Sequence, residues 1–336
     1  MSTSSDRSST WRARRTLAAV LLLALSAGCT RSERKLDSGA RDVAPRPAVS
    51  DTPAVSVAPK GCFLALLAAR RGGADANRYV VPTDAERDAM AEVVSGLISH
   101  GAVDRVVASQ RAQLAGYEIV DVTEMRDVVL VRELDARRRG GGAYVVRLGS
   151  ASRLIVEAPH TFFDEGTLPL ACELFERASA VALFIDTAHR YKAADPNERG
   201  DHPADVAHAS DSLFQAATEG ALRARSGATV VQLHGFAQRE SGAVVVLSSG
   251  SSKPADALVA RAASLLSPPL GPGVKRFPDE TTDLGATKNV QGILARKMGA
   301  RFLHVEVEAS LRKALLSDVP LRARFLDALT QAVDAP

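Results

Sequence analysis

Aromatic residues are scarce, at 4% of 336 residues with a single tryptophan. A core must therefore come mainly from aliphatic side chains, and the 46% hydrophobic fraction is that of a globular chain. Cysteine is scarcer still. The three present, Cys29, Cys62 and Cys172, are too few for a disulfide framework. The unbroken apolar run LAAVLLLAL covers nine residues, Leu17 to Leu25, well short of the roughly 20 that a bilayer-spanning helix needs. No G-x-S-x-G turn occurs, so the nucleophile elbow of serine hydrolases has no counterpart. Excess charge of one sign is also missing. The formal +3 is accounted for by four Arg and one Asp in residues 1–28, which leaves 38 basic and 38 acidic residues beyond them. That balance provides no basic footprint for nucleic acid.

The start of the chain has a pattern of its own. Arg12, Arg14 and Arg15 precede the apolar run, which leads into SAGC. A basic start, a short apolar core and small residues form the layout of an export signal. Cys29 after Ala27 and Gly28 resembles the lipidated cysteine of a bacterial lipobox, although Ser26 stands where leucine is usual. The expectation is a signal peptide over 1–28 and an exported lipoprotein held in the cell envelope membrane through a lipid on Cys29. Ordinary secretion is the alternative. Residues 30–60 are rich in Pro, Ser, Ala and charge with no apolar period, so 29–60 is expected to be a disordered tether. Cys62 and Cys172 would then be a possible pair in an oxidising compartment, or two small buried residues.

From Gly61 to residue 336 the pattern is that of one α/β domain. Thr83 and Glu86 form a capping-box signature for a helix ending at Gly101. YEIVDV, RDVVLVREL and AYVVRLG read as strands, with RRRGGG as a turn. SRLIVEAPH, AVALFIDTAHRY, ATVVQLHGF and AVVVLSSG read as buried strands, and RFLHVEVE as another. Helices are expected in GTLPLACELFERA, DVAHASDSLFQAATEGALRARSG, KPADALVARAASLL, TKNVQGILARKMGA and the segment after RFLHVEVE. Strands without surface alternation between helices imply a mixed, mostly parallel sheet covered by helices on both faces. A ligand site belongs at the carboxyl ends of its parallel strands.

Polar residues gather at those ends. His160, His189 with Arg190, and His234 each end a strand, and His304, Glu306 and Glu308 share one strand face. A buried strand with a wholly polar face is costly unless that face meets a metal, a counter-charge or solvent. Two imidazoles and a carboxylate suit zinc and leave a fourth position open. His160 and Glu165 are candidate ligands across a short loop, with His234 as the third and His189 as its rival. Asp164 and Asp186 are candidate acceptors for the ligand imidazoles. Arg190 offers a fork for a substrate carboxylate or an oxyanion, and Lys288 and Asn289 offer polar contacts at a helix start.

EAPHTFFDEGT resembles the PH…E-x-GT segment of the zinc-dependent poly-gamma-glutamate hydrolases. VVQLHGF resembles the second-histidine strand of that group, and FLHVEVEASLR its late strand, over about Ala143 to Leu316. The group is related in fold to metallocarboxypeptidases and N-formylglutamate amidohydrolases. The resemblance implies a metallocarboxypeptidase-like zinc hydrolase of amide bonds in small-molecule or peptide substrates. Its ligands would be His160, Glu165 and His234, and its general base Glu306, with Glu308 as competitor. Thr161 and Phe162 replace the Gly-Gly that follows the histidine in that group. The departure leaves a second expectation, a lipid-tethered binding protein on an inactive hydrolase scaffold.

Overall fold

Where the sequence alternates apolar runs with amphipathic ones, strands alternate with helices. The computed structural model describes residues 61–101, 105–149, 151–197, 200–239 and 241–334. The expected signal peptide, the tether and Cys29 lie outside the described residues. The elements run α1 (Cys62–Arg70), α2 (Asp84–His100), α3 (Arg105–Leu114), β1 (Tyr117–Asp121), β2 (Val128–Glu133), β3 (Ala143–Arg147), β4 (Leu154–Ala158), α4 (Thr167–Arg177), β5 (Ala182–Ile185), α5 (Leu213–Ala224) and β6 (Thr229–Phe236). They continue with β7 (Val245–Ser248), α6 (Ala257–Leu270), β8 (Val274–Arg276), α7 (Val290–Lys297), β9 (Arg301–Glu308), α8 (Ala309–Ser317) and α9 (Val319–Asp334).

The strands form a nine-stranded sheet in the order β1-β2-β3-β5-β4-β6-β9-β7-β8. The four central strands, β5, β4, β6 and β9, are parallel neighbours. β2 points the same way, so five of the nine strands share a direction, while β3 and β7 flank the central block antiparallel to it. Successive residues of β4 serve opposite faces. Val156 joins a core with α1, α4, α6 and α9, and Ile155 joins a second core with α2, α3 and α5. Burial on both faces is why these strands read as unbroken apolar runs.

Local signals act as expected at α2, where Thr83 and Glu86 make the reciprocal capping box. The helix expected to start near Asp205 begins only at Leu213, because Ser212 takes the cap position and accepts from the Gln215 N–H. Residues 205–211 are turns instead. Those turns leave Asp205 pointing back toward the carboxyl ends of the central strands, where it bonds His160.

Candidate metal centre

Parallel pairing lines up the ends of the central strands. β6 and β9 are in register with Gln232 opposite His304 and His234 opposite Glu306. Two residues beyond β4, His160 starts a tight turn in which its carbonyl accepts from the Phe163 and Asp164 N–H groups, at 2.9 and 2.7 Å. The turn brings the Asp164 carboxylate back beside the His160 ring. Gly166, at φ 93°, then leads into α4 in a conformation that costs glycine little. The Thr161 N–H donates to Asp186 Oδ1 at 3.0 Å, which fixes the turn from the end of β5.

His160 Nδ1 and His234 Nδ1 are 3.1 Å apart, and Asp164 Oδ2 is 3.5 Å from each. All three side chains are buried. The outer nitrogens are tied. His160 Nε2 lies 2.8 Å from Asp205 Oδ1, and His234 Nε2 lies 2.7 Å from Gln232 Oε1. Gln232 Oε1 also accepts from Asn289 Nδ2 at 2.6 Å, and Gln232 Nε2 donates to Glu157 Oε2 at 2.8 Å. The Gln232 amide therefore has only one orientation that suits its neighbours. His234 must donate from Nε2, which leaves the Nδ1 lone pair facing His160 and Asp164. The same logic at Asp205 leaves His160 Nδ1 as a ligand atom once its proton is gone.

This donor set fits a zinc ion. Ligand atoms on a tetrahedral zinc with bonds near 2.0–2.1 Å are separated by about 3.3 Å, and the three separations here bracket that value. Asp164 Oδ2 is also a buried oxygen with no hydrogen-bond partner, an orphan that a cation would satisfy. His234 forms a second close group with His304 and Glu306. There, Glu306 Oε2 and His304 Nδ1 are likewise buried without partners.

The electrostatics separate groups of the same chemical type. Burial opposes a charge on His160, but the Asp164 and Asp205 carboxylates outweigh it and push its pKa up to about 9. Burial dominates at His234, which is pulled down to about 4 and stays neutral. Burial also disfavours charge on Asp164 and Asp205. Their imidazole partners prevail, and both pKa values lie below the usual carboxylate range. Glu306 is pushed up to about 8, by burial first and then by repulsion from Asp164.

The sequence expectations fare differently. His160, His234 and Glu306 meet at the strand ends. Glu165 does not join them: its side chain is exposed, and its carbonyl accepts from Arg312 Nε at 2.8 Å. Asp164 stands where Glu165 was expected. The signal was present in the E-x-GT pattern, since counting back from Gly166 and Thr167 lands on Asp164. Glu308 is occupied as the cap of α8, accepting from the Ser310 and Leu311 N–H groups, which separates it from Glu306. His189 accepts from the Tyr191 N–H at 3.2 Å and lies outside both close groups.

Arg190 reaches the centre, with Nη1 3.1 Å from His160 Nδ1 and Nη2 paired with Asp205. Asn289 has both polar ends engaged. Nδ2 donates to Gln232, and Oδ1 caps α7 by accepting from the Gly292 N–H. Its place is therefore in the hydrogen-bond chain behind His234 rather than at an open surface. Arg312 lies against Gly235, where a Cβ would collide with its guanidinium. It donates to the carbonyls of Glu165, Phe236 and Val307. Asp205 and Gln232 were not expected from sequence. Nothing local distinguishes Asp205, whereas Gln232 stands two residues before His234 on the same face of β6, a signal that could have found it.

No family model and no curated protein matches the chain. Solved structures do. The chain is similar to a metallo-carboxypeptidase. That protein, from Burkholderia cenocepacia, is 12% identical, the match covering 70% of this chain and 68% of that one at a TM-score of 0.37. The chain is also similar to N-formylglutamate amidohydrolase from Ralstonia eutropha, at 12% identity over 58% and 97% of the two chains with a TM-score of 0.37. A bacteriophage poly-gamma-glutamate hydrolase aligns at 14% identity over 59% and 91%, with a TM-score of 0.35. These scores lie below 0.5, so the meaning of the centre rests on its own geometry.

Two outcomes follow for zinc binding. Asp164→Asn should weaken zinc by on the order of 100-fold or more, whereas Glu165→Gln should stay within about threefold. Chelator competition on both variants checks this, and a reversed order would return Glu165 to the ligand set. A metal ion bound there would also have to displace the proton favoured on His160, whose pKa is pushed up to about 9. Affinity should therefore rise with pH by as much as roughly tenfold per unit and level off as His160 deprotonates. A flat profile between pH 6 and 8 in metal-buffered titrations would contradict a proton on His160.

Proposed function

We propose that this chain is a zinc-dependent hydrolase of amide bonds, acting on small-molecule or peptide substrates that carry a carboxylate near the scissile amide. One observation carries the reading. Two imidazole nitrogens with their opposite nitrogens tied, and one orphan carboxylate oxygen, converge at zinc spacing beside Glu306, whose buried Oε2 has no hydrogen-bond partner. The ligands would be His160, Asp164 and His234. A divalent ion there would supply Lewis-acid polarisation of a carbonyl and of the attacking water.

The chain's own groups supply the rest. Glu306 takes the proton of the attacking water and returns it to the departing amine nitrogen. Burial first, and then the Asp164 carboxylate, push its pKa up to about 8, which favours the protonated form near neutral pH. Positive charge at the ligand point favours its ionised form, the form a base needs. Arg190 can offer its guanidinium to the substrate carboxylate by exchanging that group for Asp205, since a guanidinium pairs with either carboxylate through the same fork. His304 Nε2 lies 3.7 Å from Glu306 Oε1, and burial holds that imidazole neutral.

The alternative of a binding protein draws on Arg190 as well. Its Nη1 rests against His160 Nδ1, on the side a metal would use. Turnover separates the two readings. The zinc-loaded protein should hydrolyse at least one member of a panel of N-acyl amino acids and γ-linked peptides. Glu306→Gln should keep zinc and lower kcat by about 10²-fold or more with KM little changed. Zinc binding with no hydrolysis across the panel would leave the binding reading in possession.

The lipoprotein assignment is a separate part of the proposal and rests on SAGC at Cys29. Cys29→Ser should release the full-length protein from the membrane fraction. A variant still fractionating with membranes would remove the lipid anchor.

A further inference from the structure

Two thiols stand apart from everything used above. Cys62, the first residue of α1, and Cys172, in the middle of α4, are the only cysteines among the described residues. They are 110 positions apart in sequence, yet their sulfurs are 3.4 Å apart. Both are buried, at 0% and 3% exposure.

We propose that Cys62 and Cys172 form a disulfide that staples α1 to α4. The sulfurs need to close by roughly 1.4 Å, from 3.4 Å to the bonding distance of about 2.05 Å, a shift on the scale of side-chain rotation. The step is a thiol–disulfide exchange with an oxidant that is itself a disulfide, either a small molecule or a protein dithiol oxidase. One cysteine thiolate attacks the oxidant to give a mixed disulfide and releases one oxidant thiol. The second cysteine thiolate attacks the mixed disulfide, forms the Cys62–Cys172 bond and releases the other. The pair loses two electrons and two protons, and the oxidant gains them.

What the staple would hold is the start of α1, where the Cys62 N–H already donates to the Glu176 carboxylate. Gly61 gives α1 no side-chain cap, and Leu64 and Leu67 on its outer side are exposed. At the other end of α1, the Arg70 guanidinium lies 4.0 Å over the Phe162 ring. Phe162 belongs to the His160–Asp164 turn, so fixing α1 also fixes the outer wall of that turn. Burial holds the Cys172 thiol in its protonated form. Exchange is therefore quickest before α1 closes over α4 and slow afterwards. The inference does not depend on the hydrolase reading, and failure of one leaves the other standing.

The full-length wild-type chain can be refolded in a glutathione and glutathione-disulfide buffer, then denatured and alkylated without reductant. The expected result is a linked peptide pair containing Cys62 and Cys172, with neither sulfur alkylated. Reduction should lower Tm by roughly 5–10 °C, and the Cys62→Ala/Cys172→Ala protein should show no such response to reductant. Full alkylation of both cysteines after oxidative refolding would overturn the proposal, whatever the double variant does. So would Cys62 joined to Cys29 or to a second chain.

Discussion

The centre depends on two imidazoles held by their outer nitrogens. A histidine can turn over and present either nitrogen, and a ring that chose freely would offer a metal the right atom only part of the time. Asp205 and Gln232 remove that choice at His160 and His234. Each bond lies on the far side of its ring from the ligand point. Asp205 comes from a turn 45 residues further on, and Gln232 from two residues earlier on β6. With the rings fixed, Asp164 needs only the tight turn after β4 to complete the set. The parallel register of β6 and β9 then places Glu306 beside it without further machinery.

Opposed shifts within one cluster give its members different work. His160 and His234 are the same residue type with rings in contact, yet one holds a proton and the other refuses it. Asp164 and Glu306 are both buried carboxyls. The first is surrounded by imidazoles and stays ionised, and the second faces the first and is pushed the other way. Separated acid–base character of this kind is what metal-assisted hydrolysis needs, with anionic and neutral ligands on one side and a proton carrier on the other.

The sheet was legible in the sequence because burial on both faces leaves apolar runs that end abruptly, and the histidines at those ends stand out against valine and leucine. The polar face of β9 was legible because a strand alternates faces, so His304, Glu306 and Glu308 show as every second residue, and the resemblance to the hydrolase group singled out Glu306. The choice between Asp164 and Glu165 was not legible from residue type. Neighbouring acids in a turn differ only in which way the turn faces, and that is set by His160 accepting from Phe163 and Asp164. Asp205 and the placement of Asn289 behind His234 were out of reach for another reason. Their meaning comes from contacts 45 and 57 positions away in the chain, which no local pattern records. The start of α5 was misplaced because the apolar period runs through the turns that precede the Ser212 cap.

Arg312 has a consequence for how the centre can move. One guanidinium grips the loop before α4, the end of β6 and the end of β9 by their carbonyl oxygens. These segments bring Asp164, His234 and Glu306 respectively. A displacement of α8 would then carry all three rims together, as spokes fixed to one hub, instead of spreading them. The distances inside the centre would survive breathing of the surrounding helices, and the glycine at position 235 is what leaves room for the hub.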